Sequence, residues 1–296
     1  MTARPNIQKL SETKPFWNVL IYADSGTGKT VFAGSDLKVL FIAPEDDGLM
    51  SAQRMGSSAD KITVEKWEDI KQAYDYFSEN PEELSNYNVL SIDSLTEMQF
   101  LAKDYVLRMG ADEKRRKGQD PDKLQLQDYG TLHEIVEQMV RGFNDLPVNV
   151  LWTATSKKVE DADGNEFLVP ELQGKKEYGI SMKMVALMTS YGYMRVEVKE
   201  TLDPTEDDPN RIKAVKRRVI YFEDTGTIRG KDRTVALAPF TVNMTLQQMR
   251  LAIAGKMKRN AECMMVKVNG NGAGQASPGK VSSPVTPKGD KAELAV

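Results

Sequence analysis

The residues with the clearest chemical role lie at positions 23–30, in the sequence ADSGTGKT. The segment fits the pattern G-x-x-x-x-G-K-[S/T] except at its first position, where Ala23 replaces glycine. Glycines in this pattern let backbone N–H groups point at phosphate oxygens, the lysine reaches the β- and γ-phosphates, and the hydroxyl binds Mg²⁺. The pattern predicts a nucleotide-binding loop whose phosphate-binding residues are Asp24, Ser25, Gly26, Thr27, Gly28, Lys29 and Thr30.

The residues on either side of this loop predict a buried strand before it and a helix after it. The run VLIY is apolar and rich in strand-forming residues, and TVFAG follows the lysine. A helix that begins at the loop directs its positive dipole end at a bound anion. Ala23 lies at the hinge between strand and loop, where we expect the extra methyl group to be tolerated.

A second apolar run, NVLSI, ends in Asp93. An aspartate at the end of a buried strand, at this distance after a phosphate-binding loop, is typical of the Walker B position. It can hold the hydration shell of the Mg²⁺ that Thr30 binds, provided that the two strands lie near one another. Thr30 and Asp93 are therefore the predicted metal-binding residues.

Two glutamates are candidates for polarising the attacking water. Glu45 follows the apolar run VLFIA, at the end of a predicted parallel strand, where ligands bind in open α/β sheets. A solvated acidic loop is the alternative for this segment. Glu97 lies one turn after Asp93 and is the rival of Glu45.

Residues 148–158 form a predicted fourth strand with a polar end. If it lies between the loop strand and the Asp93 strand, Thr155 is placed to sense the γ-phosphate. A turn at residues 163–164 predicts a hairpin. Later strands should extend the sheet beyond the fourth strand, and a helix over residues 245–258 should close the folded part.

Basic residues cluster in two predicted loops and one turn. The loops at 110–123 and 156–179 are candidates for binding nucleic-acid phosphates, with Phe167 and Tyr178 available for stacking on bases; ordinary solvated surface is the alternative. The turn carries Arg229, and is either solvated or a finger that reaches a neighbouring subunit's nucleotide. The candidate cations are Lys114, Arg115, Arg116, Lys117, Lys157, Lys158, Lys175 and Lys176 in the loops, and Lys231 and Arg233 in the turn.

Composition excludes several classes of protein. The 296 residues are 40% hydrophobic, which is ample for a core, and the net charge of −3 means that any nucleic-acid contact must be local. Cys263 is the single cysteine and His133 the single histidine, so an internal disulfide, a histidine-based triad and a zinc cluster are excluded. No apolar run of about 18 residues occurs and the amino terminus lacks a signal-peptide centre, so we expect a cytoplasmic protein.

The motif order resembles that of the RecA-like core ATPases, and more narrowly of the phage-encoded Sak-type (AAA) single-strand annealing and recombination ATPases. ADSGTGKT and LSIDSLTE are the specific motifs, and PEDDG and GKDR are less specific. The resemblance implies an α/β fold with a RecA-like P-loop NTPase core: a mostly parallel sheet flanked by helices, with antiparallel strands added at one edge. Residues 1–15 would be a lead-in, 16–265 the ATPase domain, and 266–296 a disordered tail rich in Gly, Ser and Pro.

The same resemblance implies a Mg²⁺-dependent ATPase that binds single-stranded DNA and acts in phage-type recombination or strand annealing in the cytoplasm of a bacterial host. Its cofactors would be ATP and Mg²⁺, and its partners single-stranded DNA, further copies of the chain in a ring or filament, and a single-strand binding protein. The implied catalytic residues are Glu45, Lys29, Lys231 and Arg233. A helicase or motor on the same core, and a nucleotide-gated DNA-binding protein with little turnover, are the alternatives.

Overall fold

Strands and helices alternate along most of the chain. The computed structural model describes residues 9, 16–44, 46–109, 123–174, 179–203, 210–259 and 265–267. The helices are α1 Lys29–Ala33, α2 Asp46–Arg54, α3 Trp67–Glu79, α4 Leu95–Met109, α5 Leu126–Asp145, α6 Gly179–Ala186 and α7 Leu246–Ile253, with a 3₁₀ helix at Pro81–Asn86. The strands are β1 Asn18–Ala23, β2 Val39–Ala43, β3 Asp60–Thr63, β4 Val89–Ile92, β5 Asn149–Glu160, β6 Glu166–Pro170, β7 Ser190–Leu202, β8 Ile212–Tyr221, β9 Lys231–Asp232, β10 Phe240–Val242, β11 Met257–Arg259 and β12 Met265–Lys267.

Most of these strands form one mixed sheet in the order β10-β8-β7-β1-β5-β4-β2-β3. The pairs from β7 through β1, β5, β4 and β2 to β3 are parallel, so their carboxyl ends meet at one edge. The fourth predicted strand, β5, lies between β1 and β4, which is the placement on which the assignment of Thr155 depends. The α/β class with a mostly parallel sheet is confirmed.

Antiparallel strands lie at one edge of the sheet, which confirms that part of the prediction. They lie on the β1 side, beyond β7, so the prediction that they extend the sheet beyond the fourth strand is wrong. Because β5 is flanked by β1 and β4, it has no open edge in the sheet. Instead β7 pairs with β1, β8 pairs antiparallel with β7, and β10 pairs antiparallel with β8. The predicted hairpin is present, because β6 folds back antiparallel on the end of β5.

Apolar side chains from the two faces of the sheet form two cores. In β1, Leu20 and Tyr22 point into the core beneath α3, α4 and α5, whereas Val19 and Ile21 point into the core beneath α1 and α7. This alternation is what a strand buried on both faces requires. None of the helices in the described part of the chain is long and apolar enough to cross a membrane.

The last helix, α7, is shorter than predicted. Thr245 caps its first turn by accepting a hydrogen bond from the Gln248 N–H, and the helix ends at Ile253 rather than near position 258. Gly255 adopts φ 73°, which reverses the chain and ends the helix. Arg250 of α7 holds the fully buried carboxylate of Asp36 with two hydrogen bonds, at 2.6 and 3.0 Å, and so ties the helix to the segment after α1.

Candidate active site

The phosphate-binding loop connects the carboxyl end of β1 to the first turn of α1. Ala23 is the last residue of β1 and is fully buried, so its position belongs to the strand and the missing glycine falls outside the turn. Gly26 and Gly28 have φ values of 76° and 101°, where glycine is favoured over other residues. The loop backbone therefore needs glycine at Gly26 and Gly28.

Lys29 is the first residue of α1, and its side chain folds over the loop. Its ammonium donates to the carbonyl oxygens of Ala23, at 3.0 Å, and Asp24, at 3.1 Å. Burial lowers the pKa of Lys29, while the negative charges of Asp93 and Asp24 oppose that shift. A partly buried ammonium among these groups is placed to bind an anion at the mouth of the loop.

Asp93 follows β4 and faces the loop across β5. The hydroxyl of Thr153, a fully buried residue of β5, donates to the Asp93 carboxylate and fixes its orientation. Thr155, the predicted phosphate sensor, lies beside Ala23 in the sheet register. Its backbone N–H donates to the Thr96 hydroxyl at 3.1 Å. The sequence pattern pointed to Thr155, whereas the structure adds Thr153 as the residue that holds Asp93.

A small cavity of about 110 Å³ brings several candidate groups together. Thr30, Asp93, Ser94 and Glu97 line it, together with Ala43, Pro44, Gly48 and Leu49. Glu45 lies outside the described residues, although the chain on both sides of it lines this cavity. Hydroxyl and carboxylate oxygens are the ligands that Mg²⁺ prefers, usually with water and phosphate oxygens completing its shell.

The chemistry of this donor set fits Mg²⁺ bound together with a nucleotide. Within the described ranges, no group of three or more His, Cys, Asp or Glu is placed to hold a metal ion by itself. Thr30 and Asp93 would therefore hold the ion jointly with the phosphates, which is the usual arrangement at phosphate-binding loops.

Two residues that no motif singles out hold the loop from outside. Ser156 donates a hydrogen bond to the Asp24 carboxylate, and the Tyr193 hydroxyl lies 3.5 Å from the same carboxylate. Asp24 is thus tied to the strands on both sides of β1. This fixes the start of the loop relative to the sheet.

Arg218 of β8 contacts the other end of the loop. Its Nε donates to the Thr27 carbonyl at 3.0 Å, and a Cβ atom built at Gly28 would lie 2.7 Å from that Nε. Arg218 also lines a cavity of about 460 Å³ next to α1, with Val31, Met194 and Asn243 among its other walls. Nothing in the sequence singles out this arginine, because it is 191 positions from Thr27.

The basic turn runs antiparallel to β7 toward the amino end of β1, away from the phosphate-binding loop, and Arg233 lies at that end. Lys231 pairs with Tyr191, and the Arg233 N–H donates to the Thr189 carbonyl at 3.2 Å. The Thr189 N–H in turn donates to Asn18, the first residue of β1, at 2.8 Å. The length of β1 separates Arg233 from the loop by about 17 Å. The structure does not bring Lys231 and Arg233 to the nucleotide site of their own chain.

Asp232 organises this turn and leaves its outer residues exposed. Its carboxylate accepts hydrogen bonds from the hydroxyls of Ser190 and Thr234, both at 2.6 Å, and from the N–H groups of Ala236 and Leu237. Burial raises the pKa of Asp232, but these hydrogen bonds outweigh it and hold the pKa below its usual value. Arg233 is exposed beside it, so the turn presents a cation on a fixed backbone.

Several predicted DNA contacts are engaged within the chain or fall outside the described residues. The Lys157 ammonium donates to the Leu172 carbonyl at 2.8 Å, and Lys158 pairs with Glu166. Phe167, predicted to stack on bases, is instead buried in the chain. Its ring lies under the guanidinium of Arg229, a cation of the basic turn that pairs with Asp224 at 2.7 Å. The other candidates, Lys114, Arg115, Arg116, Lys117, Lys175, Lys176 and Tyr178, lie outside the described residues.

Comparison with known families agrees with this geometry. A family model described as an AAA domain, AAA_24, matches residues 16–234, which is more than half of the chain. The matched range includes the phosphate-binding loop, Asp93, Arg218 and the basic turn. No curated protein matches the chain. The chain therefore belongs to the AAA_24 family of AAA domains and is a P-loop ATPase.

Proposed function

We propose that the protein is a Mg²⁺-dependent ATPase that binds single-stranded DNA and acts in phage-type homologous recombination or strand annealing. The cavity that joins Thr30, Asp93 and Glu97 beside the phosphate-binding loop is the observation that carries the ATPase assignment. The chain would work as a ring or filament with nucleotide between subunits.

The proposed residue roles are mainly positioning and charge neutralisation. Lys29 and the loop N–H groups hold the phosphates, and Thr30 and Asp93 hold Mg²⁺. The ion supplies charge neutralisation when bound. Glu45 orients water, and Lys231 or Arg233 of the next subunit completes the site.

The cavity next to α1 supports a nucleoside as the rest of the ligand. Its volume of about 460 Å³ falls in the range of small-molecule sites, and its walls combine apolar side chains with a few polar groups. It begins beside Val31 and Arg218, directly after the phosphate-binding residues. A nucleotide bound by its phosphates at the loop could place its nucleoside in this cavity.

Lys29→Ala tests the ATPase assignment. Removing a positioned donor to the phosphates is expected to lower Mg²⁺-dependent ATP hydrolysis by about 10²- to 10³-fold, measured as phosphate release. Lys71→Ala, which removes an exposed lysine of α3, is the control and should leave the rate unchanged. Equal rates for the Lys29 variant and the wild type would contradict the assignment.

Helix α4 supports the DNA-binding part of the proposal. Glu97, in its first turn, lines the nucleotide cavity. The Gln99 side chain donates to the Gln173 carbonyl at 2.9 Å and accepts from the Gln173 N–H at 2.6 Å. Gln173 lies just before the Lys175 and Lys176 stretch, and α4 ends at Met109, just before the 110–122 stretch. Helix α4 therefore contacts the nucleotide cavity at its first turn and is connected to both basic stretches. This arrangement suits DNA binding that depends on the bound nucleotide.

Salt dependence tests the DNA contacts. Single-stranded DNA is expected to stimulate ATP hydrolysis, with stimulation that falls as salt rises. The logarithm of the binding constant for single-stranded DNA falls linearly with the logarithm of the salt concentration. Replacing residues 114–117 by alanine should make this slope shallower by about 3, because each lost phosphate contact changes it by about 0.7. The paired variant Lys175→Ala/Lys176→Ala should reduce it by about 1.4, whereas its control, Lys66→Ala/Lys71→Ala, should leave it unchanged.

Two outcomes of these DNA assays would contradict the proposal. Absence of stimulation and of binding at low salt would remove the DNA assignment. Efficient ATP-driven unwinding of a forked duplex, without annealing of complementary strands, would favour a helicase or motor instead.

A further inference from the structure

We propose that Arg218 is a positioning residue of the nucleotide site, which holds the peptide between Thr27 and Gly28 so that the Gly28 N–H points at the bound phosphate. This inference rests on the proposed nucleotide binding and adds a residue from the antiparallel part of the sheet. Arg218 belongs to β8, two strands away from β1.

The contact between Arg218 and the loop is close. The Nε–H donates to the Thr27 carbonyl oxygen at 3.0 Å. A Cβ atom at Gly28 would lie 2.7 Å from Nε, 3.0 Å from Nη2 and 3.1 Å from Cζ. The guanidinium thus lies flat against the loop at Gly28, where any larger residue would displace it.

The direction of the contact determines which way the next N–H points. In a trans peptide the carbonyl oxygen and the following N–H point in opposite directions. The Thr27 carbonyl points toward Arg218, from which it accepts a hydrogen bond. The Gly28 N–H therefore points away from Arg218, on the opposite side of the peptide. In phosphate-binding loops, backbone N–H groups of this kind cradle the phosphates. A charged donor on the carbonyl also polarises the peptide, which makes its N–H a stronger donor.

The position of Arg218 is itself fixed by the sheet. Its backbone N–H donates to the Asn243 side chain at 2.9 Å, and its carbonyl accepts from the Asn243 N–H at 2.7 Å. Alternation along β8 puts Lys216 on the same face as Arg218 and Arg217 on the other face, where Arg217 pairs with Glu197 at 2.9 Å. Two hydrogen bonds to Asn243 therefore hold the backbone of the loop-facing arginine, as a positioning role requires.

Three variants test the role of Arg218. Arg218→Ala removes the donor and the charge, whereas Arg218→Lys keeps the charge but places a methylene where Nε lies. Lys216→Ala removes an exposed cation from the same face of the same strand and is the control. The measurements are the ADP dissociation constant by calorimetry, the KM and kcat for ATP, and the thermal unfolding midpoint without nucleotide.

Both Arg218 variants are expected to weaken ADP binding and raise the KM for ATP by about tenfold, the effect of one charge-assisted hydrogen bond. The kcat should change by less than about twofold, as for a loss of uniform binding. Lys216→Ala should match the wild type. The unfolding midpoint of the two Arg218 variants should fall by no more than about 4 °C, the cost of one hydrogen bond in a folded domain of this size.

Other results would overturn the inference. If Arg218→Ala bound ADP as tightly as the wild type, Arg218 would have no positioning role. If Arg218→Lys bound ADP as tightly as the wild type, the positive charge would matter and the hydrogen bond from Nε would not. An equal loss of ADP affinity in Lys216→Ala would indicate a long-range electrostatic effect of the positive charges on β8 rather than the contact between Arg218 and Thr27. If the wild type bound no nucleotide, or bound it as well with Lys29→Ala, the proposed function itself would fail.

Discussion

Glu45→Gln is expected to lower ATP turnover by about 10²- to 10⁴-fold, the usual contribution of a general base, while leaving ATP binding near the wild-type level. The amide keeps the size of the side chain but cannot accept the proton of the attacking water. The chain on both sides of Glu45 lines the cavity that contains Thr30 and Asp93, which is where the water must be oriented. Single-turnover hydrolysis and equilibrium binding of ATP separate the two effects.

Glu97→Gln is the matched comparison, because Glu97 lines the same cavity from the first turn of α4. It should keep most of the turnover if Glu45 activates the water. A large loss in Glu97→Gln with activity retained in Glu45→Gln would transfer the role to Glu97. If the wild type bound ATP but showed little turnover, and neither substitution changed that rate, the chain would be a nucleotide-gated binding protein rather than an enzyme of the proposed kind.

The parts of the site that the sequence predicts are those set by local structure. Gly28, Lys29 and Thr30 are adjacent in the chain, and the strand and helix around them have clear patterns. Asp93 was predictable because a buried parallel strand delivers its next residue to the carboxyl edge of the sheet. The α/β class follows from the same alternation of strands and helices, whereas the place of β5 between β1 and β4 was only a condition in the sequence analysis.

The parts that the sequence does not predict depend on which distant strands become neighbours. Thr153 meets Asp93 only because β5 pairs with β4, and its hydroxyl is indistinguishable in sequence from the nearby Thr155. Arg218 meets Thr27 because β7 and β8 are added beside β1. Four similar cations occur in β8 alone, and only the register decides which one faces the loop. The edge to which these strands are added was itself predicted wrongly.

Arg233→Ala is expected to lower ATP turnover by about 10³-fold or more, with little change in ATP binding, if the basic turn acts as a finger on the next subunit's nucleotide. Arg233 lies at the far end of β1 from its own loop, so it could act only in trans. Arg233 is exposed, and its guanidinium makes one long hydrogen bond, at 3.5 Å, to the Ala186 carbonyl. Asp232 holds the turn in place, which suits insertion of Arg233 into a neighbouring site. The control is Lys256→Ala, which removes an exposed cation that follows α7 and should leave ATP turnover unchanged.

Mixing two inactive variants tests action in trans most directly. An Arg233→Ala subunit keeps an intact phosphate-binding loop, and a Lys29→Ala subunit keeps an intact finger. In a mixed assembly some interfaces pair the intact loop with the intact finger, so activity should reappear that neither variant shows alone. The specific activity of the wild type should also fall on dilution, because an isolated subunit lacks the second half of the site. Wild-type activity that is independent of concentration, together with an Arg233→Ala variant that is as active as the wild type, would show that the basic turn has no catalytic part.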